Sequence, residues 1–183
     1  MRIKPIIVVA GEPYSVFFEI LFKSLKNKNI KKIKNPILLI GSKILLNNQM
    51  KLLKYNYSIN EISLKNINLL KLKNLKINII NVNFNGKKTF DKISKNSNNY
   101  IKNCCEIALK LVRRTKAKVL INGPVSKKYF LKNKFPGMTE YFAAKTGFRN
   151  KEVMLIYNSQ NSVSPVTTHI PLKKVIKFIS KKN

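Results

Sequence analysis

Three short stretches of this chain combine residue types at spacings that could do chemistry. The first is Leu120-Ile121-Asn122-Gly123-Pro124-Val125-Ser126-Lys127. An apolar run ends at a glycine, which lets the backbone turn tightly and a ligand come close. Lys127 then stands at the mouth of the loop, able to meet a phosphate or carboxylate as a point charge. The second is Phe135-Pro136-Gly137-Met138-Thr139-Glu140-Tyr141. Thr139 precedes a good helix-forming run, so it can cap that helix, and the free amides there can bind phosphate. The two roles are compatible. The third is Val166-Thr167-Thr168-His169-Ile170-Pro171-Leu172, which holds the only histidine. A lone imidazole is either structural or one ligand of a metal site whose other ligands come from elsewhere.

Apolar runs must position these groups. Lys118 to Ile121, Glu152 to Tyr157 and Val163 to Thr168 are strand-like, and each runs into a polar loop bearing Gly or Pro. In open α/β sheets ligands bind outside the carboxyl ends of strands, on loops that a rigid scaffold holds. Upstream, Ile3 to Ala10 is a continuous apolar run, as in a strand buried on both faces of a parallel sheet. Gly11-Glu12-Pro13 breaks it, and Val16 to Leu25 follows in helical register. Strand, tight loop and helix begin a doubly wound unit. Pro36 to Ile40 and Ile77 to Phe84 read as further strands, the latter ended by the turn pair Asn85-Gly86. Ile44 to Leu53 reads as a helix, while Tyr55 to Leu75 keeps no clean period and is left irregular, with room for a short strand.

From Asn98 to Lys116, Ile101, Cys104, Cys105, Ala108, Leu111 and Val112 form one apolar helical stripe. Lys110, Arg113, Arg114 and Lys116 fall at its C-terminal end, where cations suit the helix dipole. Pro171 heads a last helix with Leu172, Val175, Ile176 and Ile179 in register. The fold class read from this order is α/β, a mostly parallel sheet with helices on both faces. Its strands are expected to include Ile6 to Ala10, Lys118 to Ile121 and Val153 to Tyr157.

Composition narrows the function classes. The chain has 183 residues, 44% of them hydrophobic, and a formal net charge of +30. Of its 37 basic residues only Arg2, Arg113, Arg114 and Arg149 are arginine. Arg is the preferred reader of bases and phosphates, and the lysines are scattered. The charge therefore reads as a solvated basic surface and not a dedicated nucleic-acid site, although nonspecific polyanion binding at low salt follows from it. Cys104 and Cys105 are adjacent and unaccompanied, so no disulfide framework exists; they read as two small apolar helix residues. No apolar run approaches the ~20 residues that span a bilayer, and no signal segment fits the start. The expected location is cytoplasmic, without membrane association.

Together, Gly123-Pro124-Val125-Ser126-Lys127, Pro136-Gly137-Met138-Thr139-Glu140-Tyr141-Phe142 and Val166-Thr167-Thr168-His169-Ile170-Pro171-Leu172 resemble the 4-hydroxythreonine-4-phosphate dehydrogenase family. Val9-Ala10-Gly11-Glu12-Pro13, with Glu19-Ile20, resembles that family's first loop. The resemblance implies an isocitrate/isopropylmalate-dehydrogenase-like fold of two domains in a homodimer, with the site at the interface. It implies NAD-dependent oxidation, then decarboxylation, of 4-phosphohydroxy-threonine in pyridoxal 5'-phosphate biosynthesis. A divalent metal ion (Zn, Mg or Co) would be held by three histidines, of which His169 matches the first. The other two belong to the family's later half, which this sequence does not contain. Thr139 matches the threonine of a substrate-binding His-Thr pair, and Met138 replaces the histidine. Lys127 would help hold the phosphorylated substrate, and no catalytic acid or base is assigned. The family's first-loop glycines give way to Tyr14-Ser15-Val16-Phe17-Phe18.

On this reading residues 1–121 are a first α/β domain lacking its returning segment, and 122–183 begin a truncated substrate and metal domain. The chain is then a truncated or split form, inactive alone. It is expected to act as a homodimer or with a separately encoded C-terminal half. The alternative is a non-enzymatic basic α/β remnant that binds RNA or a partner subunit.

Overall fold

Near-continuous runs of Ile, Val and Leu make strands that need cover on both faces, and α-helices supply it to the central strands. The computed structural model describes residues 4–65, 67, 72, 76–86, 88–132, 134–168, 170–177 and 179. The chain divides into two compact units, Met1–Phe130 and Leu131–Asn183.

The first unit is built on β1 (Ile6–Val9), β2 (Ile37–Gly41), β3 (Ile59–Glu61), β4 (Ile77–Asn81) and β5 (Val119–Asn122). All pair in parallel, in the order β3-β4-β2-β1-β5. Period-two alternation divides their side chains between two cores. On one face Val8, Ala10, Leu39, Ile77 and Ile79 join Phe17, Phe18 and Phe22 of α1 (Phe17–Lys26) and Leu45 and Leu46 of α3 (Lys43–Leu52). The short α2 (Lys28–Lys31) lies between those helices in sequence. Ile7, Val9, Leu38 and Ile40 alternate to the other face and are equally buried. There α4 (Asn98–Thr115) packs on β1 and β2, burying Ile101, Cys104, Cys105, Ala108 and Leu111 as the stripe requires, and Tyr100 in addition. Ser42 starts α3 because its hydroxyl accepts from the Leu45 amide. Lys116 ends α4 in the left-handed conformation at φ +53°. The stretch read as irregular holds β3; much of the remainder up to Leu75 lies outside the described residues.

The second unit contains α5 (Met138–Thr146), β6 (Ile156–Tyr157), β7 (Ser162–Val163) and α6 (Leu172–Val175). Here an expectation fails. Val153 to Tyr157 is not a strand of the parallel sheet: only Ile156–Tyr157 is extended, and it pairs antiparallel with Ser162–Val163. The reason lies in the connection. Four residues join β6 to β7, too few for the crossover that parallel pairing needs. Asn158 closes the turn, its Oδ1 accepting from the amides of Gln160 and Asn161 at 2.8 Å. Of the strand expected over Val163 to Thr168 only Val163 is in a strand, the second residue of β7. The last helix keeps one turn after Pro171, and Leu172, Ile176 and Ile179 are exposed. Among the described residues no helix is long and apolar enough to cross a membrane.

Candidate functional site

The strand order places one feature before any side chain is considered. β2 flanks β1 on one side and β5 on the other, and the helices that follow β1 and precede β5 cover opposite faces. The crevice between the carboxyl ends of β1 and β5 is therefore the topological switch point, where open α/β sheets bind ligands.

Backbone contacts tie the two loops there. The Gly123 amide donates to the Val9 carbonyl at 2.7 Å and the Glu12 amide to the Pro124 carbonyl at 2.8 Å. Gly11 needs its glycine twice over, for φ +73° and because a Cβ would meet Pro124 O at 2.5 Å. A Cβ at Gly123 would meet Ala10 O at 2.2 Å and Phe17 Cδ2 at 2.8 Å. The small residue read as room for a ligand thus makes room for the neighbouring loop. The bulky first loop is also accounted for: Phe17 and Phe18 fill the core, and Tyr14 meets Phe84 edge-on at 5.5 Å. Beyond Pro124, the Ser126 hydroxyl accepts from the Tyr129 amide at 3.2 Å. That contact anchors a single wide turn, Lys127–Leu131. Lys127 heads this turn and is exposed.

Two polar residues that sequence reasoning gave no role lie under these loops. Glu12 is 2% exposed, and neither carboxyl oxygen has a hydrogen-bond partner of good geometry. Burial holds its pKa above the ordinary carboxyl value, with the Ser97 hydroxyl and Ser126 amide opposing that in part. Tyr100 is buried, its hydroxyl accepting from the Ser42 amide at 2.9 Å. Its pKa is pushed well above the usual phenol range, first by burial. Glu12 had one sequence signal, an acid placed directly behind a buried strand. Tyr100 had the helical spacing, standing four residues before Cys104 and eight before Ala108 on the same face. Burial also pushes both Cys104 and Cys105 up to about 12, so these thiols are inert packing groups at neutral pH.

In the second unit Met138 is the first residue of α5, half-buried, and Thr139 is the second, exposed. The extended N-cap residue is Gly137, without a side-chain cap, so the capping role read for Thr139 does not hold. Its hydroxyl is free of that task and stands at a helix start whose amides can take an anion. A Cβ at Gly137 would meet Glu140 Oε2 at 3.0 Å, so a carboxylate already leans toward this end. His169 lies outside the described residues. Among the described residues no three His, Cys, Asp or Glu side chains gather where they could hold a metal.

The family described as "Pyridoxal phosphate biosynthetic protein PdxA" matches residues 32–183. The chain is 32% identical over 177 residues to a 4-hydroxythreonine-4-phosphate dehydrogenase of Sulfurihydrogenibium sp. (strain YO3AOP1), covering 95% of this chain and 52% of that protein. It is 25% identical over 178 residues to the enzyme of the same name from Bacteroides thetaiotaomicron, covering 95% and 47%. It resembles the crystal structure of a 4-hydroxythreonine-4-phosphate dehydrogenase from Burkholderia phymatum, with TM-score 0.79, 23% identity and coverage of 96% and 53%. The Klebsiella pneumoniae structure of the same name gives TM-score 0.75, 19% identity and coverage of 98% and 54%. These structural likenesses show the fold. The chain spans about half the length of the curated relatives it matches.

Proposed function

This chain belongs to the pyridoxal phosphate biosynthetic protein PdxA family, and we propose on that premise that it is one half of an NAD-dependent 4-hydroxythreonine-4-phosphate dehydrogenase. The observation that carries the reading is coverage: the match takes in 95% of this chain but only 52% and 47% of its relatives. The chain would contribute the loop Asn122 to Lys127 and the start of α5 to a phosphorylated hydroxy-amino acid. Lys127 offers an exposed cation, and Thr139 a hydroxyl in the first turn of α5. Met138 can neither donate a proton nor meet a phosphate as a cation. That binding task would therefore rest on its neighbours.

NAD would accept the hydride in the completed enzyme. A catalytic metal site usually needs three protein ligands. The described residues do not supply them, and His169 is one, so no step is assigned to the metal here. Dimerising does not repair this, because a second copy adds only another His169. The missing ligands would come from the part of the family's length that these residues do not span. That part, joined to or mixed with this chain and given 4-phosphohydroxy-threonine, NAD and a divalent metal, is expected to yield NADH. Lys127→Ala and Thr139→Ala should then raise KM more than they lower kcat. A folded mixture without turnover would overturn the reading.

The charge of +30 favours one other reading, a basic remnant that binds RNA. It requires saturable binding to a defined RNA that survives at physiological salt, whereas charge alone gives weak binding indifferent to sequence.

A further inference from the structure

Buried polar groups in native proteins are paired with few exceptions, and each exception calls for a cause. Glu12 is such an exception, 2% exposed and with no hydrogen bond of good geometry to either oxygen. Three segments meet around it. Its own loop is pinned by the Glu12 amide on the Pro124 carbonyl and by the Gly11 contact with Gly123 and Pro124. The buried Ser97, at the threshold of α4, acts on the carboxyl, as does the Ser126 amide of the loop after β5. Tyr100 on α4 is within its electrostatic reach. None of these groups is a cation. An ionised carboxylate here would lose its water and gain no counter-charge.

We propose that Glu12 is a protonated latch at the switch point. As a neutral acid it can stay buried where the loop after β1, the start of α4 and the loop after β5 meet. On losing its proton it loosens Gly123–Ser126, the loop that presents Lys127. The inference rests on the geometry of the first unit and is independent of the dehydrogenase reading.

The direction of the pH effect follows from burial, which raises this carboxyl from its ordinary 4.5. The folded chain then binds the proton more tightly than the unfolded chain. Stability from the latch is full below the unfolded value and is lost as pH rises through the folded value. Glu12→Gln keeps the shape and cannot ionise. In urea unfolding of the full chain, wild type and Glu12→Gln should have equal midpoints at low pH. At some pH above 4.5 only the wild type should weaken. Its Glu12 and Gly123 amides should then exchange faster than in the variant, about tenfold for each unit by which folding raises the pKa. The wild-type Glu12 carboxyl can also be titrated directly by carbon-13 NMR, which decides the matter even if the variant fails to fold. A midpoint above 4.5 shared by the amides of Gly123 to Ser126 supports the latch. A midpoint at or below it, loop amides that ignore it, or a Glu12→Gln chain less stable at every pH would overturn it.

Discussion

Two stretches of similar composition end in opposite states. β2, Ile37-Leu38-Leu39-Ile40-Gly41, is buried from Leu38 onward. Val153-Met154-Leu155-Ile156-Tyr157 is exposed throughout, from 40% at Met154 to 77% at Val153. Propensity does not separate them, since both are rich in strand-forming apolar residues. Layers do. The first unit follows its strands with α1, α3 and α4, so each sheet face finds a helix. The described residues of the second unit instead turn back after four residues into a hairpin of two residue pairs. Such a hairpin is marginal in water by itself. An apolar run states only that something should cover it.

The contrast can be broken most easily where the effects are largest. Leu38→Ala empties a site at 0% exposure, and urea unfolding should show a loss of about 2–5 kcal/mol. Leu155→Ala, at 63% exposure, should change stability by no more than about 0.5 kcal/mol. Similar losses for the two would mean that the hairpin is covered after all.

Glycines give a finer version. Gly123→Ala forces a Cβ against Ala10 O, and overpacking of this kind costs about 1–3 kcal/mol. Gly147, after α5, has φ +81° and open space around it. Gly147→Ala should therefore show only the left-handed penalty, about 1–2 kcal/mol, with no shift in neighbouring amide resonances. Gly123→Ala should move the resonances of both loops.

The smallest effect has the opposite sign. Lys116 holds φ +53° where α4 ends, and Lys116→Gly should raise the unfolding free energy by about 1 kcal/mol.

What was legible in the sequence was local. The breaks at Gly11 and Pro13, the strand runs of the first unit and the stripe Ile101 to Leu111 each report on neighbours a few residues away, and each appears in the fold. The hydrogen-bond partner of Tyr100 was not legible, because Ser42 lies on another element. Gly123 was noticed for its size, yet the atom that requires a glycine is Ala10 O, on another strand. Thr139 looked like a cap because its type fits. Gly137 takes that place because its extended backbone at φ −159° starts the helix two residues earlier than the threonine would. The hairpin is legible in principle, since five residues between the runs Glu152 to Tyr157 and Val163 to Thr168 are too few for a parallel crossover. The role of Glu12 was not legible, because Ser97 and Ser126 reach it only through the fold.

The central proposal is that residues 1–183 supply part of a dehydrogenase site and do not complete it by themselves. The direct measurement is NADH absorbance from residues 1–183 alone, given NAD, a divalent metal and 4-phosphohydroxy-threonine. The account predicts no turnover, for the wild type and for His169→Ala alike. Clear turnover by the chain alone, abolished by His169→Ala, would contradict it.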